Sequence, residues 1–150
     1  EEGFTYGDEN FIRVLREIVI RQIESKALRG YLAYVDGVSI GWCNANDKAS
    51  FPAESANGFQ LYAPAEKREK AVVCFEIAPE YRGKGVATAL LNRVVTDAKA
   101  EGYVAVEGFP QVHKERFKWD YTGPVRLYEK VRFTAITKQD GNVIMRKELE

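Results

Sequence analysis

The chain has 150 residues, enough for one domain with a sizeable core and too few for two. Hydrophobic residues make up 45% and charged residues 29% of it, an ordinary globular balance, and 22 basic residues cancel 22 acidic ones. That neutrality argues against general nucleic-acid binding, which shows as a basic excess or patch, and no apolar run approaches the ~20 residues that span a bilayer.

No signal-like segment opens the chain, which starts at Glu1 rather than methionine; a cytoplasmic location is the expectation. From Asp8 to about Leu28, the spacing of Phe11, Leu15, Ile18, Val19 and Ile23 predicts one amphipathic helix, ended by Gly30. "YLAYVDGVSIGWCNA" reads as a hairpin turning at Asp36-Gly37. Residues 46–70 are dominated by Pro, Ala, Ser, Asn and charges, which predicts a long loop, and a loop of that length is more often functional than idle. "AVVCFEI" is a strand ended by Pro79, and Val86 to Ala100 is a helix whose apolar face is Ala87, Leu90, Leu91, Val94 and Ala98. Gly102 caps that helix before the strand "YVAVEGF". Residues 110–122 form a second loop, and a short helix runs from Gly123 to about Val131 with Pro124 in its first turn. "FTAIT" and "NVIMRK" flank "KQDG" as a second hairpin, so the whole order predicts one domain with a mixed α/β sheet.

The cysteines, Cys43 and Cys74, lie in apolar strand-like runs and read as small buried hydrophobes. With His113 the only histidine, no metal-ligand set is expected. The informative stretch is "PEYRGKGVATALL", residues 79–91, a strand end and Gly-Lys-Gly leading into a helix. A helix's first turn offers unpaired N–H groups and partial positive charge, and glycines let an anion approach the backbone. Two phosphate motifs do not match. The P-loop needs a glycine where Ala78 stands and a Ser or Thr where Gly85 stands, and the dinucleotide fingerprint wants a third small residue at Thr88.

Arg82, Gly85 and Ala87 do fit Arg/Gln-x-x-Gly-x-Gly/Ala. With the "AYVDGVSIGW" hairpin before it and "RLYEKVRF" after it, the chain resembles the GNAT superfamily of acyl-CoA-dependent N-acyltransferases from about Gly30 to Lys147. The resemblance implies a single-domain GNAT fold, α/β, with a mixed, mostly antiparallel sheet flanked by helices and a shortened N-terminal strand and helix. It implies acetyl-CoA as co-substrate, its pyrophosphate cradled by Arg82, Gly83, Lys84, Gly85, Val86, Ala87 and Thr88. The strand end around Phe75 and Ile77 would pair with the pantetheine amides as an added strand. Tyr128 falls where the family places the acid for the leaving thiolate, a role a phenol suits because its pKa lies near that of a thiol.

Glu107, just before Gly108, and Glu76, within the cofactor strand, are the candidate proton acceptors. Glu107 is preferred, and His113 is a minor candidate. Three positions depart from the family pattern: Tyr121 replaces an asparagine, Pro124 an alanine and Arg132 a helix-ending glycine. The expected reaction moves an acetyl group to a primary amine of a small molecule; the alternative is a catalytically silent acyl-CoA-binding module. The acceptor site is expected from residues 8–29, 44–70 and 109–122, rich in aromatics such as Phe51, Phe109 and Tyr121. With a shortened N-terminus, part of that pocket is absent or comes from a second subunit, as in a homodimer.

Overall fold

A computed structural model describes residues 8–51, 67–112, 121–139 and 142–150. The elements follow the order α1 (Glu9–Glu24), β1 (Gly30–Val35), β2 (Val38–Asp47), β3 (Glu69–Ile77), α2 (Val86–Ala100), β4 (Ala105–Gly108), α3 (Val125–Lys130), β5 (Thr134–Gln139) and β6 (Asn142–Glu148). The strands form one six-stranded sheet in the order β1-β2-β3-β4-β6-β5. Every pairing is antiparallel except β3 with β4.

Local chemistry accounts for most boundaries. Asp8 caps α1 by accepting hydrogen bonds from the N–H groups of Asn10 (2.6 Å) and Phe11 (3.2 Å). The β1–β2 turn has positive φ at both Asp36 (49°) and Gly37 (78°), the geometry that an Asp-Gly hairpin needs. Leu90, Leu91, Val94 and Ala98 of α2 are buried against the sheet with Val72, Phe75, Val106, Leu127 and Tyr128.

Three expectations need correction. The first helix ends at Glu24, capped by Ser25, well before Gly30. Gly30 instead opens β1, where a Cβ would run into the Trp42 ring and the Cys43 carbonyl, so its lack of a side chain is a packing requirement. Pro124 has an extended backbone (φ −77°, ψ 153°) and stands at the N-cap of α3 rather than inside its first turn. The long loop is shorter at both ends, because β2 continues to Asp47, a 3-10 turn covers Lys48–Ser50, and β3 begins at Glu69; residues 52–66 lie outside the described residues.

α1 differs from α2 in one respect: none of its residues is buried, and Ile12, Leu15, Ile18, Val19 and Ile23 are all exposed. The segment that follows it is tied to β2, since Asn46 Nδ2 donates to the Ala27 carbonyl at 3.2 Å.

Candidate active site

The pairing of β3 with β4 stops at Val72 and Gly108. Just there β3 carries a bulge: Ala45 faces Val72 and Asn44 faces Cys74, leaving Val73 extra. A bulge turns a strand and ends regular pairing. Beyond it Phe75, Glu76 and Ile77 run on while β4 has already ended, so this stretch of β3 has no strand partner on its β4 side.

The turn that follows β3 is shaped by two glycines. Gly83 (φ 73°) and Gly85 (φ 87°) both adopt the left-handed backbone, and a Cβ at either would meet nothing within 4 Å. Gly85 is the N-cap of α2, and no side chain caps that end. The first intrahelical bond runs from Ala89 N–H to the Gly85 carbonyl, so the N–H groups of Val86, Ala87 and Thr88 have no intrahelical acceptor. Arg82 is exposed and its Nε donates to the Ile77 carbonyl at 2.9 Å, which fastens the turn to the strand end.

A cleft of about 210 Å³ lies in front of this turn. Ile77, Arg82, Gly83, Gly85, Val86, Ala87 and Thr88 line one side. Pro124, Arg126, Leu127 and Lys130 of the α3 segment line the other. Arg126 and Lys130 were not singled out in the sequence, although their i, i+4 spacing on a helix places two cations on one face. Lys84 is not among the lining residues; its ammonium lies 5.5 Å from the centre of the Tyr81 ring.

The region beside the end of β4 is packed shut. Tyr128 is fully buried, and its hydroxyl donates to the Thr122 carbonyl at 2.8 Å. Its ring meets Phe75 and Phe133 edge-on, with centroids 6.4 and 5.5 Å away. The ring also lies over Gly108, where a Cβ would collide with it. The N–H of Phe75, one residue past Cys74, donates to the Tyr121 carbonyl at 2.6 Å.

Glu107 is buried at 3% exposure, and its carboxylate is engaged. Arg146 Nη1 donates to Glu107 Oε1 at 2.7 Å, and the Lys48 ammonium lies 2.8 Å from Oε2 in an ionic contact without hydrogen-bond alignment. The same two cations hold Glu69, at 2.7 and 3.0 Å. Burial pushes the Glu69 carboxyl up, but the hydrogen bonds from Arg146 and Lys48 outweigh it and hold the group below its ordinary pKa. Burial lowers Lys48 in turn, and its contacts with Glu107 and Glu69 more than reverse that, so its ammonium is held above the usual value. Glu76 is exposed on the sheet face opposite buried Phe75, beside Trp42. His113 falls outside the described residues.

The cysteines separate as well: Cys43 is buried and Cys74 half-buried, and burial pushes both thiols up. A second cleft, about 190 Å³, lies beside Arg29, Tyr31, Lys70 and Glu101, where the Lys70 ammonium already pairs with Glu101 at 2.9 Å.

A glycine turn with unpaired N–H groups at the head of a helix is suited to an anion. The model of the acetyltransferase (GNAT) family matches residues 3–132, and the chain belongs to that family. Solved structures of the same fold include a GNAT-family protein from Desulfovibrio desulfuricans, 18% identical with a TM-score of 0.63, covering 99% of this chain and 87% of that one. The GNAT domain of S. lividans PAT is 21% identical with a TM-score of 0.55, over 80% of this chain and only 60% of that one. The structure of yncA from Salmonella typhimurium with its cofactor acetyl-CoA is 17% identical with a TM-score of 0.56, over 90% of this chain and 73% of that one. No curated protein matches the sequence. Among the described residues, no helix is long and apolar enough to cross a membrane.

Proposed function

We propose that the chain transfers the acetyl group of acetyl-CoA to a primary amine of a small molecule, by direct attack within a ternary complex. The observation that carries this reading is the uncapped head of α2: free N–H groups at Val86, Ala87 and Thr88 face a cleft whose opposite side presents Arg126 and Lys130. That is a receptacle for a pyrophosphate, and a structural neighbour has acetyl-CoA as its cofactor. Bound acetyl-CoA would supply the activated thioester. The edge of β3 at Phe75 and Ile77 would align the pantetheine arm, as an added strand does.

Attack by the amine expels a thiolate, and Tyr128 is the proton donor for that sulfur. A phenol with an ordinary pKa of about 10 holds its proton at neutral pH and lies close enough to a thiol, about 8.5, to give it up. Glu107 or Glu76 takes the proton that the attacking amine loses, directly or through water. Glu107 can do so only if Lys48 or Arg146 gives ground, because both hold it now.

That engagement favours a second reading, an acyl-CoA-binding module without turnover. An assay of acetyl-CoA-dependent thiol release across a panel of primary amines separates the two. Turnover that falls about a hundredfold in Tyr128→Phe supports the enzyme. Tight acetyl-CoA binding with no thiol release for any amine supports the silent module.

A further inference from the structure

The edge of β3 past the end of its pairing with β4 is already occupied. Phe75, just past the bulge, points its N–H away from β2, where an arriving acyl-CoA arm would find a donor; that N–H already donates to the Tyr121 carbonyl at 2.6 Å. The next carbonyl along, of Thr122, accepts the Tyr128 hydroxyl at 2.8 Å in a buried setting. Gly123 then turns the chain with φ 76°, and a Cβ there would press on Leu127 at 3.0 Å and on the Phe75 ring at 3.4 Å. Two consecutive carbonyls, one held by the β3 backbone and one by the Tyr128 side chain, thus fix this segment along the edge of β3.

We infer that Tyr121–Gly123 is an internal stand-in for the acyl-CoA arm, latched by Tyr128, and that the arm enters by displacing it. This rests on the acetyl-CoA reading above. The segment and the arm offer the same chemistry, a carbonyl oxygen for the Phe75 N–H, so they compete for one donor. Entry of the arm releases the Thr122 carbonyl from Tyr128, and the freed phenol becomes available to the leaving sulfur. Tyr128 is therefore a positioning residue in the free chain and a proton donor only once the arm is seated. Ligand affinity is reduced by the fraction of molecules in the latched form, so weakening the latch tightens binding.

The test combines calorimetry with a through-hydrogen-bond scalar coupling between Phe75 ¹⁵N and Tyr121 ¹³C′ in labelled protein. The coupling is expected in the free chain and with ADP, which carries a pyrophosphate but no arm, and is expected to vanish at saturating acetyl-CoA. Tyr128→Phe, which removes one latch hydrogen bond, should bind acetyl-CoA about fivefold tighter while leaving ADP affinity unchanged. A coupling missing from the free chain, or one that persists in the acetyl-CoA-saturated protein, overturns the stand-in and leaves the acetyl-CoA reading intact. Saturation of Tyr128→Phe alone supports a latch too tight for the wild type to open. If neither protein binds acetyl-CoA, the acetyl-CoA reading fails and the stand-in falls with it. Should Tyr128→Phe not fold, the coupling in the wild type still decides.

Discussion

Two walls of this region are built by opposite strategies: the turn after β3, which lines the cleft, and the packed cluster around Tyr128, which does not. One wall, Ile77 to Thr88, is a single unbroken stretch of chain with no residue fully buried, two left-handed glycines and no side-chain cap. The other gathers Glu107, Gly108, Thr122 and Tyr128 from separate elements, buries all four, and occupies their polar groups with partners. The first wall has donors to offer a ligand; the second has its hydrogen bonds already spent inside the fold. Substitutions in the first wall should therefore change binding and spare stability, and substitutions in the second should do the reverse or both.

The largest stability effect is expected at Gly108→Ala. Its Cβ would collide with the Tyr128 ring, and overpacking of this kind costs about 1–3 kcal/mol. A thermal melt should show Tm lowered by several degrees. An unchanged Tm would mean that the second wall yields more easily than its packing implies.

Next in size is the acid limb of stability. Glu69 titrates below its ordinary value in the folded chain, so its contribution is complete above the unfolded pKa, about 4.3, and is lost as pH falls through the lower folded value. Glu69→Gln should flatten the stability profile below about pH 4 in urea titrations. A profile as steep as the wild type's would remove Glu69 from the acid response.

The smallest effect is at Arg132, just after α3. It holds φ 64°, with its N–H on the Glu129 carbonyl at 2.9 Å and the Phe133 N–H on the Tyr128 carbonyl at 3.1 Å. That is a left-handed helix end of the kind glycine usually fills. The departure from glycine noted in the sequence therefore keeps the usual cap geometry and carries the strain of a side chain there. Arg132→Gly should stabilise the chain by about 0.5–1 kcal/mol, read as a raised urea midpoint. A lowered midpoint would mean that the arginine side chain contributes more than its backbone costs.

The same contrast explains what could be read from the sequence. The hairpin at Asp36-Gly37, the helix of residues 86–100 and the glycine turn were legible because each is specified by neighbours in the chain. The bulge at Val73 was not, because it depends on register with β2 rather than on Val73 itself. The partners of Glu107 were equally hidden: Arg146 lies 39 residues away and reaches it only through the β4–β6 pairing. Periodicity found α1 correctly as an amphipathic helix, yet its apolar face is exposed while that of α2 is buried. An amphipathic pattern identifies a face and does not say what covers it.

The most direct test of the account is a calorimetric titration of the chain with acetyl-CoA, run beside Gly85→Glu. Gly85 has a left-handed backbone with open space before it, so glutamate would add both strain and a negative charge at the head of α2. Micromolar binding by the wild type, weakened at least about a hundredfold in a variant whose Tm stays close to the wild type's, is the predicted result. Equal binding by the two proteins would contradict it and place the pyrophosphate away from this turn.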